Sequence, residues 1–215
     1  MNWHELEKHF SPARLGRYRI AQHGNTIKAE RDYASNILLS EAMAPMLNVL
    51  EIALRNGIHT HLSKRYNQTN WWDTWVDHSA FDWQNTEVAS AKKKLAKRHE
   101  QQTPDKVIAE LAFGFWSSLF NKQFQSILWK DLRLVFARCP KPERQRHNIS
   151  SALNQIRHLR NRVFHHEPLL WLTPTLLEQH ATGVAVINWI DPQLGQWLTQ
   201  HDRLLETWAS RVTTE

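Results

Sequence analysis

The stretch IRHLRNRVFHHEP, residues 156–168, decides how this chain of 215 residues is interpreted. It places three arginines, one asparagine and three histidines between residues 156 and 166, and Pro168 follows closely. At about 100° per residue, the apolar residues of this region share one narrow stripe of an α-helix, namely Ala152, Ile156, Leu159 and Val163. We therefore predict a helix from about residue 143 to residue 165, with this stripe facing a core.

The polar residues of the same helix form an edge on its other side. Arg157, Asn161 and His165 follow one another at intervals of one turn. Arg160 is five residues from His165, so an ideal helix separates the two side chains by about 140°. They can share a substrate only if the helix distorts, if the long arginine reaches around, or if a second subunit completes the site.

These residue types suit the cleavage of RNA without a metal. Such a reaction needs a base for the ribose 2′-hydroxyl, an acid for the leaving 5′-oxygen and positive charge beside the phosphate. Histidine transfers protons near neutral pH, and arginine offers a permanent charge with a planar fork of donors. Arg160, Asn161 and His165 are the predicted catalytic residues, and His166 and Arg157 are predicted accessory residues. The alternative is a solvated basic face with a structural histidine at its end.

The pattern Arg160-Asn161-x-x-x-His165 resembles the R-N-x-x-x-H signature of HEPN-fold ribonucleases, and RNRVFHHEP resembles the Abi-like (abortive infection) branch in particular. Three further segments match the Abi-like pattern in order: LSEAMAPMLNVLEIALRN at 39–56, WW at 71–72, and ELAFGFWSSLF with a later LW within 110–129. Together the matches extend over roughly residues 36–170.

This resemblance implies one all-α domain over residues 1–215, an HEPN-type helical bundle with additional helices. It implies an endoribonuclease that needs no cofactor, leaves 2′,3′-cyclic phosphate ends and works as a homodimer. The setting would be bacterial defence against phage or a toxin-antitoxin-type system. An antitoxin protein, a non-coding RNA or an inactive assembly would restrain it, and the sequence does not distinguish them.

Two alternatives come from other classes of function. In the first, the same basic helix belongs to a non-catalytic RNA-binding or regulatory module. Cleavage of RNA by the protein would exclude this alternative. A scaffold that senses a phage protein through the tryptophan-rich segment would have no affinity for RNA.

Composition sets wider bounds. The formal net charge of +6 favours a polyanionic partner. The single cysteine, Cys139, excludes an intrachain disulfide and fits a reducing cytoplasm. The first ten residues lack the apolar core of a secretory leader, and no uninterrupted run of roughly 20 apolar residues is present. We therefore expect a cytoplasmic protein without a membrane association.

A second basic cluster lies on a predicted helix over residues 86–102. A solvated face and a contact with the RNA backbone explain it equally well. The predicted RNA-binding residues are Lys92, Lys93, Lys94, Lys97 and Arg98, together with Arg162 of the motif helix.

Glu51 and Arg55 are one turn apart on an apolar helix and are able to pair. Two interpretations of this pair are open. It is either a buried ion pair that stabilises the fold or a support for the Arg160–His165 site. Arg55-Asn56 with His59 and His61 echoes the main motif loosely, at a different spacing. His59 and His61 point to different faces of a helix, and the 13 histidines show no zinc-site spacing, so no metal site is predicted.

The rest of the chain is predicted as helices with irregular connections. Ser11 and Asn25 are predicted caps of helices at 12–23 and 26–66, and Pro45 should start, bend or break the second. The tryptophans of the irregular segment 67–85 should fill the core, and stacking on bases is the alternative. Further predicted helices cover 116–138, the residues from Thr173-Pro174 to about 190, and 191–212, and CPKP at 139–142 is a break.

Overall fold

The computed structural model of the chain describes residues 2–212. Within this range the chain forms eleven α-helices and no β-strand, which confirms the predicted all-α class. The helices are α1 (Trp3–Phe10), α2 (Pro12–Ala21), α3 (Thr26–Tyr66), α4 (Asp82–Lys97), α5 (Pro104–Glu110), α6 (Phe113–Ser118), α7 (Gln125–Leu132), α8 (Arg146–Phe164), α9 (Leu176–Ile190), α10 (Pro192–Leu198) and α11 (Leu204–Val212). Short 3-10 helices cover Trp71–Trp75, Ser79–Phe81, Lys122–Phe124 and Arg133–Phe136.

Side-chain caps start α2 and α3 at the predicted residues. Ser11 Oγ accepts a hydrogen bond from the backbone N–H of Arg14 at 3.4 Å, and Asn25 Oδ1 accepts one from that of Lys28 at 3.1 Å. Pro45 lies inside α3, and the helix continues through it. Proline removes one backbone donor, and the 41-residue helix tolerates this single missing hydrogen bond.

The central helix of the bundle is α3, which packs against α2, α6, α7, α8, α9 and α11. Its buried side includes Met46, Leu50 and Leu54. Gly183 of α9 faces Met46 so closely that a Cβ at position 183 would overlap Met46 Sδ. The absence of a side chain at Gly183 therefore lets α9 approach the central helix.

The exposed side of α3 carries apolar residues as well as polar ones. By length and composition α3 is the one helix within residues 2–212 that qualifies as a membrane span, and 39% of its most apolar window is buried inside the protein. Ile37, Leu38 and Ile52 are exposed on this helix. The central helix is thus a core element whose exposed side includes several large apolar residues.

Three of the four tryptophans in segment 67–85 fill the core, as predicted, whereas the fourth, Trp83, is 48% exposed. Trp71, Trp72 and Trp75 are buried, and the ring of Trp75 stacks on Phe81 with centroids 4.1 Å apart. Trp71 Nε1 donates a hydrogen bond to Nδ1 of His59 at 3.1 Å. This bond gives the polar tip of a buried indole its partner and assigns His59 a structural role.

The prediction of one helix over residues 116–138 is wrong. Here α6 ends at Ser118, α7 begins at Gln125, and 3-10 turns complete the segment. Six aromatic residues of this region are buried, namely Phe113, Phe115, Trp116, Phe120, Phe124 and Phe136, and Trp129 packs partly buried against the core. Their spacing spreads them around a helix rather than along one face. Breaking the helix lets all of them turn inward.

Other helix boundaries also differ from prediction. The predicted last helix consists of α10 and α11, which are separated by residues 199–203. Thr175, rather than Thr173, caps α9 by forming a capping box with Glu178. A capping box of Asn2 with Glu5 starts α1, which was not predicted.

Candidate functional site

The motif residues occupy the last turns and the C-terminal cap of α8. Backbone N–H groups of His166 and Glu167 donate to the carbonyls of Val163 (3.1 Å) and Arg162 (2.8 Å), the pairing of a Schellman motif. His166 holds the left-handed position of this cap, with φ of 55°. Glycine is the usual residue there because any side chain is disfavoured at positive φ. The cap turns His165 and His166 outward, and both are exposed.

Two arginines of α2 meet these histidines. Arg14 Nη1 donates hydrogen bonds to the backbone carbonyls of His166 at 2.9 Å and of His165 at 3.4 Å. A cleft of about 480 Å³ is lined by the histidines, Arg14, Arg17 and Glu167. We call it the histidine cleft. Neither arginine was predicted from the sequence, because both lie about 150 residues before the motif and no local pattern links them to it.

Asn36 of α3 holds the chain that leaves the motif. Its Nδ2 donates to the carbonyl of Glu167 at 3.2 Å, and its Oδ1 accepts from the N–H of Leu169 at 2.7 Å. Asn36 is 2% exposed, so both bonds are shielded from water. The sequence offers one signal for this role of Asn36: it is a polar residue on the buried stripe of an apolar helix, where a polar side chain needs a hydrogen-bond partner.

Arg160 lies on a different side of α8. Its Nε donates to Oε2 of Glu51 at 2.9 Å, and its guanidinium lies 4.7 Å from the ring centre of Phe164. The predicted Glu51–Arg55 pair is wrong, since the partner of Glu51 is Arg160 and Arg55 Nε donates to Asn56 Oδ1 at 3.3 Å. Glu51 therefore supports the motif residue Arg160, which is one of the two roles predicted for Glu51.

Arg160 and His165 are not brought together within one chain. α8 runs unbroken to Phe164, so it makes no distortion that would bring them to one side. Arg160 is held by Glu51, whereas His165 lines the histidine cleft. Asn161 is exposed between them, and its backbone carbonyl accepts from the N–H of His165 at 2.8 Å. Neither a distorted helix nor an arginine that reaches around joins Arg160 and His165 in this structure.

Further clefts follow α8 away from the histidines. Arg17 and Pro168 also line an adjoining cleft of about 510 Å³, together with His158 and Arg162. Arg162 is paired with Glu167 at 3.2 Å. His158 in turn lines a third cleft beside Arg157. Neighbouring clefts therefore share lining residues, and we call this series of three clefts along α8 the basic path. Arg157 and His165 line different clefts of it.

The basic cluster of α4 lies outside this path. Lys92 is paired with Asp73 at 3.4 Å, and Arg98 is paired with Glu100 at 2.7 Å and also with Glu110. Lys93, Lys94 and Lys97 are exposed. None of the three clefts is lined by a residue of this cluster. The structure therefore separates Arg162 from the other predicted RNA-binding residues.

The histidines of α3 have local roles. Burial lowers the pKa of His59 below its ordinary value, and the nearby charge of Asp105 opposes this. A neutral ring agrees with the hydrogen bond that His59 Nδ1 accepts from Trp71. Within residues 2–212 no group of three His, Cys, Asp or Glu side chains is placed to hold a metal ion.

Comparison of the chain with family models, with curated proteins and with solved structures finds no match.

Proposed function

We propose that this chain is a metal-independent endoribonuclease of the HEPN type. One observation carries the proposal: His165, His166, Arg14 and Arg17 line a single cleft at the end of α8. Cleavage of a phosphodiester needs a base, an acid and positive charge beside the phosphate. The two histidines are able to act as base and acid, and the two arginines supply the charge. The setting proposed is the bacterial cytoplasm, in phage defence or a toxin-antitoxin-type system.

In the proposed reaction one histidine removes the proton of the ribose 2′-hydroxyl, and the 2′-oxygen attacks the adjacent phosphorus. The bond from phosphorus to the 5′-oxygen breaks, and the second histidine protonates that oxygen. The products are a 2′,3′-cyclic phosphate and a 5′-hydroxyl. Arg17 stabilises the charge that develops on the phosphate oxygens. Arg14 also fixes the cap, because it binds the carbonyls of both histidines.

A homodimer is part of this proposal, because Arg160 faces away from the histidine cleft of its own chain. Within residues 2–212 its guanidinium contacts Glu51 through Nε and the ring of Phe164, and its Nη groups donate no hydrogen bond, so they are available to bind a phosphate. Beside it, Phe164 (54% exposed) and Ile37 (53% exposed) line one apolar cleft. A second copy that covers this cleft would bury apolar surface and bring its own Arg160 to the histidines.

The test is incubation of purified protein with total RNA in EDTA, with analysis of the cleaved ends. Cleavage that tolerates the chelator and leaves cyclic phosphate ends is expected, and His165→Ala and His166→Ala should each abolish it. His147→Ala is the matched control, because His147 is an exposed histidine in the first turn of the same helix. Activity that requires a divalent ion would refute the mechanism. Binding of RNA without turnover would support the non-catalytic module instead.

A further inference from the structure

The cleft around Arg157 has the chemistry of a separate binding site. It has a volume of about 680 Å³, which lies within the usual range for small-molecule sites. Its lining includes Arg157, His158, Ser118, Gln84 and Trp83 and contains no aspartate or glutamate. We call it the Arg157 cleft.

Arg157 is a cation without a partner. Its Nε is fully buried and makes no hydrogen bond, and no ion pair or hydrogen bond of its other nitrogens exists within residues 2–212. A partly buried charge is normally paired, because removing it from water is unfavourable unless an opposite charge replaces the water. The other arginines of α8 all have partners: Arg160 pairs with Glu51 and Arg162 with Glu167, and Arg146 donates hydrogen bonds to the carbonyl of Phe120 at 2.8 Å and to Gln125 Oε1 at 3.0 Å. The exception at Arg157 points to an anion that binds in the cleft.

Trp83, which also lines the cleft, offers a flat apolar surface. Trp83 is 48% exposed, although most tryptophans of its neighbourhood are buried. Its ring lies 6.3 Å from Phe115 at an interplanar angle of 30°, so Phe115 supports it from the core side. An exposed indole beside a cation suits a planar base joined to a phosphate, because bases stack on aromatic side chains.

Gln84 adds a polar contact at the same place. It is 2% exposed, and its Nε2 donates to Ser118 Oγ at 3.1 Å while its Oε1 has no hydrogen-bond partner. Two polar atoms at one cleft, Gln84 Oε1 and Arg157 Nε, thus lack partners in a fold whose buried polar groups should be satisfied.

We propose that the Arg157 cleft binds a nucleotide, with the phosphate at Arg157 and the base against Trp83. The site is distinct from the histidine cleft: Arg157 precedes His165 by eight residues, about 12 Å along the helix. The nucleotide comes either from free solution or from an RNA strand that follows the basic path along α8. Binding does not depend on cleavage, so this proposal stands or fails apart from the ribonuclease proposal.

Calorimetric titration of the full chain tests it with two probes, adenosine 5′-monophosphate and a 2′-O-methyl hexanucleotide that cannot be cleaved. At least one probe should bind. Arg157→Gln should weaken binding about tenfold or more, since a charge-assisted contact is lost. Trp83→Ala should weaken it about fivefold or more, since a stacking surface is lost. Trp197→Ala is the control, because Trp197 on α10 is 51% exposed but lies outside the cleft.

The two probes also distinguish the source of the nucleotide. If the mononucleotide binds and both substitutions weaken its binding, the ligand is a free nucleotide. If only the hexanucleotide binds and both substitutions weaken its binding, the ligand is an RNA strand. Should Arg157→Gln fail to fold, the exposed Trp83 still supplies the decisive comparison with Trp197. The proposal is overturned if neither probe binds, or if binding is unchanged in Trp83→Ala.

Discussion

Nε of Arg160 lies 2.9 Å from a carboxylate oxygen of Glu51, a residue 109 positions earlier in the chain. The bond joins the motif helix α8 to the central helix α3. The side chains of Arg160 and Glu51 are 28% and 22% exposed, so water still screens the pair and its contribution to stability is small. Its more important effect is to fix the direction of a guanidinium that has further donors available.

Glu51→Ala should lower RNA cleavage almost as far as Arg160→Ala does, because the guanidinium then loses its orientation. Glu51→Gln should retain more activity, since the amide oxygen still accepts a hydrogen bond from Arg160 Nε. Rates of cleavage of one RNA substrate measure both effects. Arg55→Ala is the control and should leave the rate unchanged, because within residues 2–212 the side chain of Arg55 bonds its neighbour Asn56 and no residue of the motif. The free energy of unfolding should fall by about 0.2–1 kcal/mol in Glu51→Ala.

Mixing two inactive variants should restore activity if Arg160 acts across a dimer. When Arg160→Ala and His165→Ala chains exchange subunits, half of the dimers contain both variants, and one of their two sites is intact. About a quarter of the wild-type rate is then expected. A mixture that stays inactive, or an active monomer in sedimentation, would contradict the composite site.

The left-handed conformation of His166 predicts that stability and activity change in opposite directions. His166→Gly should raise the free energy of unfolding by about 1 kcal/mol, because glycine adopts positive φ without strain. Cleavage should nevertheless fall, because an imidazole is lost from the histidine cleft. His99, with φ of 58° just after α4, provides the matched control. His99→Gly should also stabilise the protein but leave cleavage intact; equal activity in both variants would remove His166 from the site.

Salt dependence of RNA binding should identify the residues that touch phosphates. Log affinity should fall linearly with log salt concentration, and Arg17→Gln should reduce the slope by about 0.7 for single-stranded RNA. Lys94→Gln on α4 should leave the slope unchanged, because Lys94 lies outside the clefts along α8. The reverse result would move the RNA path to the basic cluster of α4.

Gly183→Ala should destabilise the protein by about 1–3 kcal/mol, because the new methyl group would overlap Met46 in a filled core. Gly16→Ala within α2 is the control, since a Cβ there meets no atom within 4 Å. That change should instead stabilise the protein by about 0.5–1 kcal/mol through helix propensity. Chemical denaturation measures both changes, and similar effects of the two substitutions would argue against the close approach of α9 to α3.

The sequence by itself determined the features that depend on neighbours along the chain. The apolar stripe of α8, the caps at Ser11 and Asn25 and the all-α class follow from helical periodicity and from side chains that bond within three residues. The divergence of Arg160 from His165 also follows from helix geometry alone. The prediction of one helix over 116–138 is wrong because the conformation of this segment depends on distant residues. Its aromatic residues belong to a core that the local pattern does not reveal.

Only the tertiary structure decided which groups meet. Glu51 pairs with Arg160 rather than with Arg55, Arg14 supports the two histidines, and Asn36 holds the segment after the motif. These contacts join residues more than 100 positions apart, and each depends on how α2 and α8 pack against α3. The unpartnered guanidinium of Arg157 is also a tertiary property, because a charge lacks a partner only with respect to everything that surrounds it.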